Sequence, residues 1–100
     1  MLVAFSISPG STDPTGGVSE AVAEAVRVVR DSGLPCETTS MFTTVEGEWD
    51  EVMAVVKRAV DVVAARSARV GLVLKADIRP GHTGQLTAKV ERVEQHLADG

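Results

Sequence analysis

The chain is poor in the residues from which most specialised sites are built. A single cysteine, Cys36, in 100 residues leaves no partner for an internal disulfide and no thiolate set for a zinc cage. Two phenylalanines, one tryptophan and no tyrosine are too few for a platform on which nucleic-acid bases could stack. Ten Lys and Arg stand against fourteen Asp and Glu, a formal charge of −4, which argues against the clustered cationic groove that nucleic acid requires. No apolar run approaches the ~20 residues of a membrane span, and no basic segment followed by a long apolar one opens the chain. His82 and His96 lack metal-ligand spacing and read as solvated side chains. These absences leave the expectation of a cytoplasmic protein with residues 1–100 as one domain, no cofactor or metal, and neither nucleic acid nor membrane as partner.

What is present alternates. Leu2 to Ser8 sets Val3, Phe5 and Ile7 against Ala4, Ser6 and Ser8, a strand with one apolar and one polar face. The turn formers from Pro9 to Gly17 end it and predict a flexible loop. From about Ser19, read as an N-cap, Val22, Ala25, Val26 and Val29 recur at helical spacing until Gly33, a C′ residue followed by Pro35. Cys36 to Met41 and Thr43 to Glu48 read as a hairpin turned at Met41-Phe42. Asp50 to about Ala65 places Val52, Val55, Val56, Ala59, Val60 and Val63 on one stripe, a pattern that overrides the weak helix propensity of valine. Arg69 to Arg79 alternates again until Pro80-Gly81, and beyond Thr83, a candidate cap, Leu86, Val90, Val93 and Leu97 form the stripe of a last helix. The order β-α-β-β-α-β with an added C-terminal helix predicts an α+β fold, a ferredoxin-like βαββαβ sandwich with strands ordered fourth, first, third, second and both main helices on one face.

That order gathers Ser6 and Ser8, Thr44 and Glu46, and Lys75 and Asp77 on the helix-free face. Hydroxyls around two carboxylates and a lysine suit a small polar or cationic ligand. The same residues also read as a solvated face or a subunit contact in which Lys75 pairs with Asp77 or Glu46. The alternatives are a purely structural oligomerisation module and a small ferredoxin-like enzyme, an isomerase or cofactor-free oxygenase with Glu46 and Asp77 as acid/base pair, although no nucleophile with its own base accompanies them. Trp49, at a strand-to-helix junction, reads as a core or subunit anchor, and Cys36 as a small buried hydrophobe.

Four motifs carry a family resemblance over nearly the whole chain. They are Ser6-Ile7-Ser8-Pro9, Ser32-Gly33-Leu34-Pro35, Met41-Phe42-Thr43-Thr44-Val45-Glu46-Gly47-Glu48 with Asp50-Glu51-Val52, and Lys75-Ala76-Asp77-Ile78-Arg79 followed by Gly81. In these the sequence resembles the small thiamine-binding proteins, the MTH1187/YkoF-like or UPF0045 family. The resemblance implies a ferredoxin-like fold, dimers and tetramers assembled through sheet faces and edges, and non-catalytic binding of thiamine or its hydroxymethylpyrimidine moiety. Phe42 and Cys36 depart from it, standing where the family pattern has a glycine and an aromatic residue. By position, Thr43, Thr44 and Glu46 fall in the central motif, and Lys75 and Asp77 in the last. With thiamine as ligand, Glu46 or Asp77 would balance the thiazolium charge while Ser6, Ser8, Thr43 and Thr44 met the aminopyrimidine. A homodimer or homotetramer is expected on physical grounds as well, since the helix-free face also carries Ala4 and Val73 and edge strands invite pairing.

Overall fold

A computed structural model describes residues 1–10, 17–39 and 41–99, with side chains of the first helix from Glu20 onward. Its elements are β1 (Leu2–Pro9), α1 (Gly17–Asp31), β2 (Cys36–Thr38), β3 (Thr43–Glu46), α2 (Trp49–Ala64), β4 (Val70–Asp77) and α3 (Gln85–Asp99). The strands form one antiparallel sheet ordered β2-β3-β1-β4. This is the ferredoxin-like α+β arrangement expected from the sequence. The turn-rich segment after Pro9 lies mostly outside the described residues.

Alternation along β1 sends Val3, Phe5 and Ile7 into the core, where they meet Val45 of β3, Ala21, Ala25 and Val29 of α1, and Val52, Val55, Val56, Ala59 and Val63 of α2. The core is thus built almost wholly of valine and alanine. Small side chains let both helices approach the sheet closely, and fully buried Val3, Val29, Val45, Val52 and Val63 leave little slack for truncation. Cys36 is half-buried and packs against this cluster.

Helix ends follow local chemistry. Gly33 takes φ +80° just beyond α1, a left-handed conformation that glycine adopts without steric cost. The Ser32 hydroxyl donates to the Val29 carbonyl at 2.5 Å and accepts from the Leu34 N–H at 3.2 Å, closing the helix into the next strand. At the start of α2, the Glu51 carboxylate accepts from the Glu48 N–H at 3.3 Å, the backward reach of a capping box. Beyond its last turn, Arg66 bridges to Glu20 at 3.3 Å and Glu24 at 2.5 Å, tying the end of α2 to the first turns of α1.

Several sequence expectations shift. The first helix begins at Gly17, so Ser19 falls inside its first turn, where backbone N–H groups lack intrahelical partners and glycine is tolerated. The first hairpin strand is only Cys36–Thr38, because Thr39 turns its hydroxyl to the backbone of Phe42 and leaves the ladder. Trp49 is no core anchor of this chain: as the first residue of α2 it points outward and is 55% exposed. In β4, Leu72 is 44% exposed although it lies on the helix side, because α1 and α2 sit over the centre of the sheet and leave this edge strand partly uncovered.

Candidate functional site

Strand register fixes where each candidate residue lies. On the helix-free face, Thr44 and Lys75 flank Ala4 from either side, and Glu46 and Asp77 flank Leu2. Ser6 lies opposite Val73 and Ser8 opposite Gly71, further along β1. Thr43 does not join them. It pairs with Phe5, is 8% exposed, and alternates to the helix side.

That face is free of α1 and α2 only, because α3 engages both of its carboxylates. Glu46 is 7% exposed, and its oxygens accept from the backbone N–H groups of Gln85 at 2.9 Å and Leu86 at 3.3 Å. Those are N–H groups that a helix leaves without intrahelical partners, and a negative charge there is further stabilised by the helix dipole. Thr83 therefore does not provide the cap; the cap comes from a strand almost forty residues earlier in the chain. Asp77 pairs with Lys89 on the next turn of α3, and the Lys89 ammonium holds its carboxyl below the usual aspartate range. Lys89, rather than Lys75, is its partner, since residues two apart in a strand sit about 7 Å apart along it. Glu46 and Asp77 are separated by two interstrand spacings, about 10 Å, with Leu2 between. Carboxylates so spaced, each already bonded, do not form a close acid/base pair. His82 sits in an exposed turn with Nδ1 3.2 Å from the Pro80 carbonyl oxygen, and the described residues hold no cluster of three potential metal ligands.

The helix side has an open cleft of about 240 Å³ between α1 and the β2–β3 hairpin. Phe5, Ser6, Ile7 and Thr43 form its base, Val22, Ala25 and Val26 one wall, and Thr38, Thr39, Met41 and Phe42 the other. The cleft exists because the β1–β3 ladder stops at the Phe5–Thr43 pair while β1 continues alongside β4 to Pro9. Past Phe5, the edge of β1 that faces the hairpin has no strand neighbour among the described residues, the kind of edge on which backbone donors and acceptors can meet a ligand. Thr39 shapes the outer wall. Its N–H donates to the Phe42 carbonyl at 2.9 Å, and its hydroxyl accepts from the Phe42 N–H at 3.2 Å. Among the described residues, no ionisable side chain lines the cleft. Apolar surface with a few hydroxyls beside a strand edge can hold an uncharged flat ring that carries donors and acceptors.

Comparison with known proteins settles the lineage. The thiamine-binding protein family model matches residues 3–94. The chain belongs to the thiamine-binding protein family. UPF0045 proteins of Mycobacterium bovis and Mycobacterium tuberculosis are each 57% identical to it over 98 residues, covering 97% of this chain and 94% of theirs. Among solved structures, a Methanocaldococcus jannascii protein superposes with a TM-score of 0.82 at 29% identity, covering 93% of this chain and 94% of its own. A DUF77 domain from Bacillus cereus gives 0.80 at 33% identity, with 91% and 86% covered. A Thermotoga maritima protein named for a provisional role in thiamine biosynthesis or salvage gives 0.79 at 27% identity, with 92% and 96% covered.

Within the span matched by the thiamine-binding protein family, the central motif divides between two places. Thr43 and Phe42 belong to the cleft, while Thr44 and Glu46 face the other side of the sheet. Of the cleft residues, only Ser6 and Thr43 were sequence candidates for ligand contact; Phe5, Ile7, the α1 residues, Thr38, Thr39 and Met41 were passed over. Phe5 and the valines carried only the signature of core packing. The Thr38-Thr39 pair ahead of the turn was the available signal.

Proposed function

We propose that this protein binds thiamine or hydroxymethylpyrimidine without catalysis, as a cytoplasmic carrier or sensor working as a homo-oligomer, and that the pyrimidine enters the cleft between α1 and the hairpin. The observation that carries this reading is that, among the described residues, an uncharged, hydroxyl-bearing lining adjoins an edge of β1 that no strand pairs. An aminopyrimidine presents donors and acceptors in its ring plane, matching backbone groups along an edge strand, while its faces meet Phe5, Phe42 and Val26. At about 240 Å³ the cleft is smaller than the ~300–1,000 Å³ pockets of drug-sized ligands, so it suits one ring and leaves the thiazolium outside. Family membership and the name of the Thermotoga neighbour add support for a thiamine-related ligand. Glu46 and Asp77 then act structurally, through α3, instead of balancing the ligand's charge.

Calorimetric titration with thiamine and with hydroxymethylpyrimidine tests the reading. Saturable binding of both, of similar strength, is the expected result. The absence of saturable heat from either would count against it, and affinity for thiamine alone would return the charge-balancing role to a carboxylate.

A further inference from the structure

The apolar stripe of α3 is left largely uncovered by the described residues of its own chain. None of its residues is buried, and Val90, Val93 and Leu97 are 57%, 58% and 71% exposed. Its described side-chain and capping ties to the sheet lie in its first five residues: the Glu46 cap on Gln85 and Leu86, and the Lys89–Asp77 pair. A helix of 15 residues without a packed face is marginal in water.

The spacing of its apolar residues indicates what covers it. α2, which packs on a sheet, buries Val52, Val55, Val56, Ala59 and Val63, a broad face containing an adjacent pair. In α3 the stripe is Leu86, Val90, Val93 and Leu97, separated by four, three and four residues with no adjacent pair. That is the narrow seam with which one helix packs on another. Flanking charges choose the orientation. With Val90 and Leu97 at a and Leu86 and Val93 at d, Lys89 takes a g position and Glu94 the following e position, which attract across a parallel pair. In an antiparallel pair Lys89 would face His96 and Glu94 would face Thr87, with no attraction gained.

We propose that α3 pairs in parallel with α3 of a second copy of this chain through Leu86, Val90, Val93 and Leu97. This deepens the homo-oligomer reading and does not depend on the ligand assignment. The Val90→Glu/Val93→Glu variant, which leaves the core and the Glu46 cap untouched, is compared with the native chain by light scattering, with far-UV circular dichroism as the check on folding. The native chain is expected to be oligomeric and the variant to fall to half its mass or less. An unchanged mass would overturn the α3 seam while leaving the homo-oligomer reading standing; a monomeric native chain would remove both. A second measurement keeps the test decisive if the double variant misfolds. Leu97→Cys in a Cys36→Ser background is expected to form a covalent dimer under mild oxidation, because a parallel seam sets each position opposite its own counterpart. Cross-linking only when Leu97→Cys and Leu86→Cys chains are mixed would show an antiparallel pair and overturn the proposal.

Discussion

Glu46→Gln separates a structural carboxylate from a ligand-binding one. In the native chain both oxygens of Glu46 accept from the first backbone N–H groups of α3, at 2.9 and 3.3 Å, with the side chain nearly buried. Glutamine keeps one acceptor but turns an amide NH₂ toward the other N–H. Leaving a buried donor unpaired costs about 1–3 kcal/mol, and losing the negative charge at a helix N-terminus adds about 0.3–1 kcal/mol. The expected loss of stability is therefore about 1–4 kcal/mol, read from equilibrium urea unfolding, or a fall in Tm of roughly 5 °C or more for a chain of this size. Ligand affinity should barely change, because Glu46 lies on the opposite sheet face and three residues, about 10 Å, along β3 from Thr43. A variant of native stability that loses thiamine but keeps hydroxymethylpyrimidine would refute this reasoning.

Other outcomes follow from the same geometry. Thr43→Val removes a cleft hydroxyl at nearly constant volume and should weaken hydroxymethylpyrimidine by about 0.5–1.5 kcal/mol in calorimetry, with Tm shifting far less than for Glu46→Gln. Val52→Ala, at a fully buried position between α2 and the sheet, should cost about 2 kcal/mol in urea unfolding without altering which ligand is preferred. Because Lys89 lowers the Asp77 pKa in the folded state, the stabilising effect of this pair is present above the unfolded aspartate value of about 3.9 and is lost as pH falls through the lower folded value. Amide exchange in the first turns of α3 should accelerate over that acidic range in the native chain, and Asp77→Asn should abolish the acid-dependent step.

Much of the architecture was legible because burial and periodicity coincide. Val3, Phe5 and Ile7 alternate in β1 and are the residues that reach the core, and the five buried positions of α2 all lie on the stripe visible in the sequence. The site was less legible for a physical reason. Glu46 and Asp77 do project from the helix-free face, but their partners are set by the path of α3, and no local pattern encodes that a helix start forty residues away will seek the Glu46 carboxylate. The cleft is a tertiary property as well. It arises where β3 leaves β1 after Thr43, and its walls combine α1 residues that look like ordinary core with a turn built by Thr39. Thr43 and Ser6 were singled out as ligand contacts, yet the parity that grouped the other candidates puts the Thr43 side chain on the opposite face.

The most direct measurement is a backbone amide NMR titration with hydroxymethylpyrimidine, since it reports which face of the sheet meets the ligand. Shifts that saturate together at Phe5, Ser6, Ile7, Val26, Thr38, Phe42 and Thr43 are expected, with Lys75 and Asp77 on β4 unmoved. Saturating shifts centred on Thr44, Lys75 and Asp77, with the cleft unchanged, would contradict the assignment and move the site to the helix-free face.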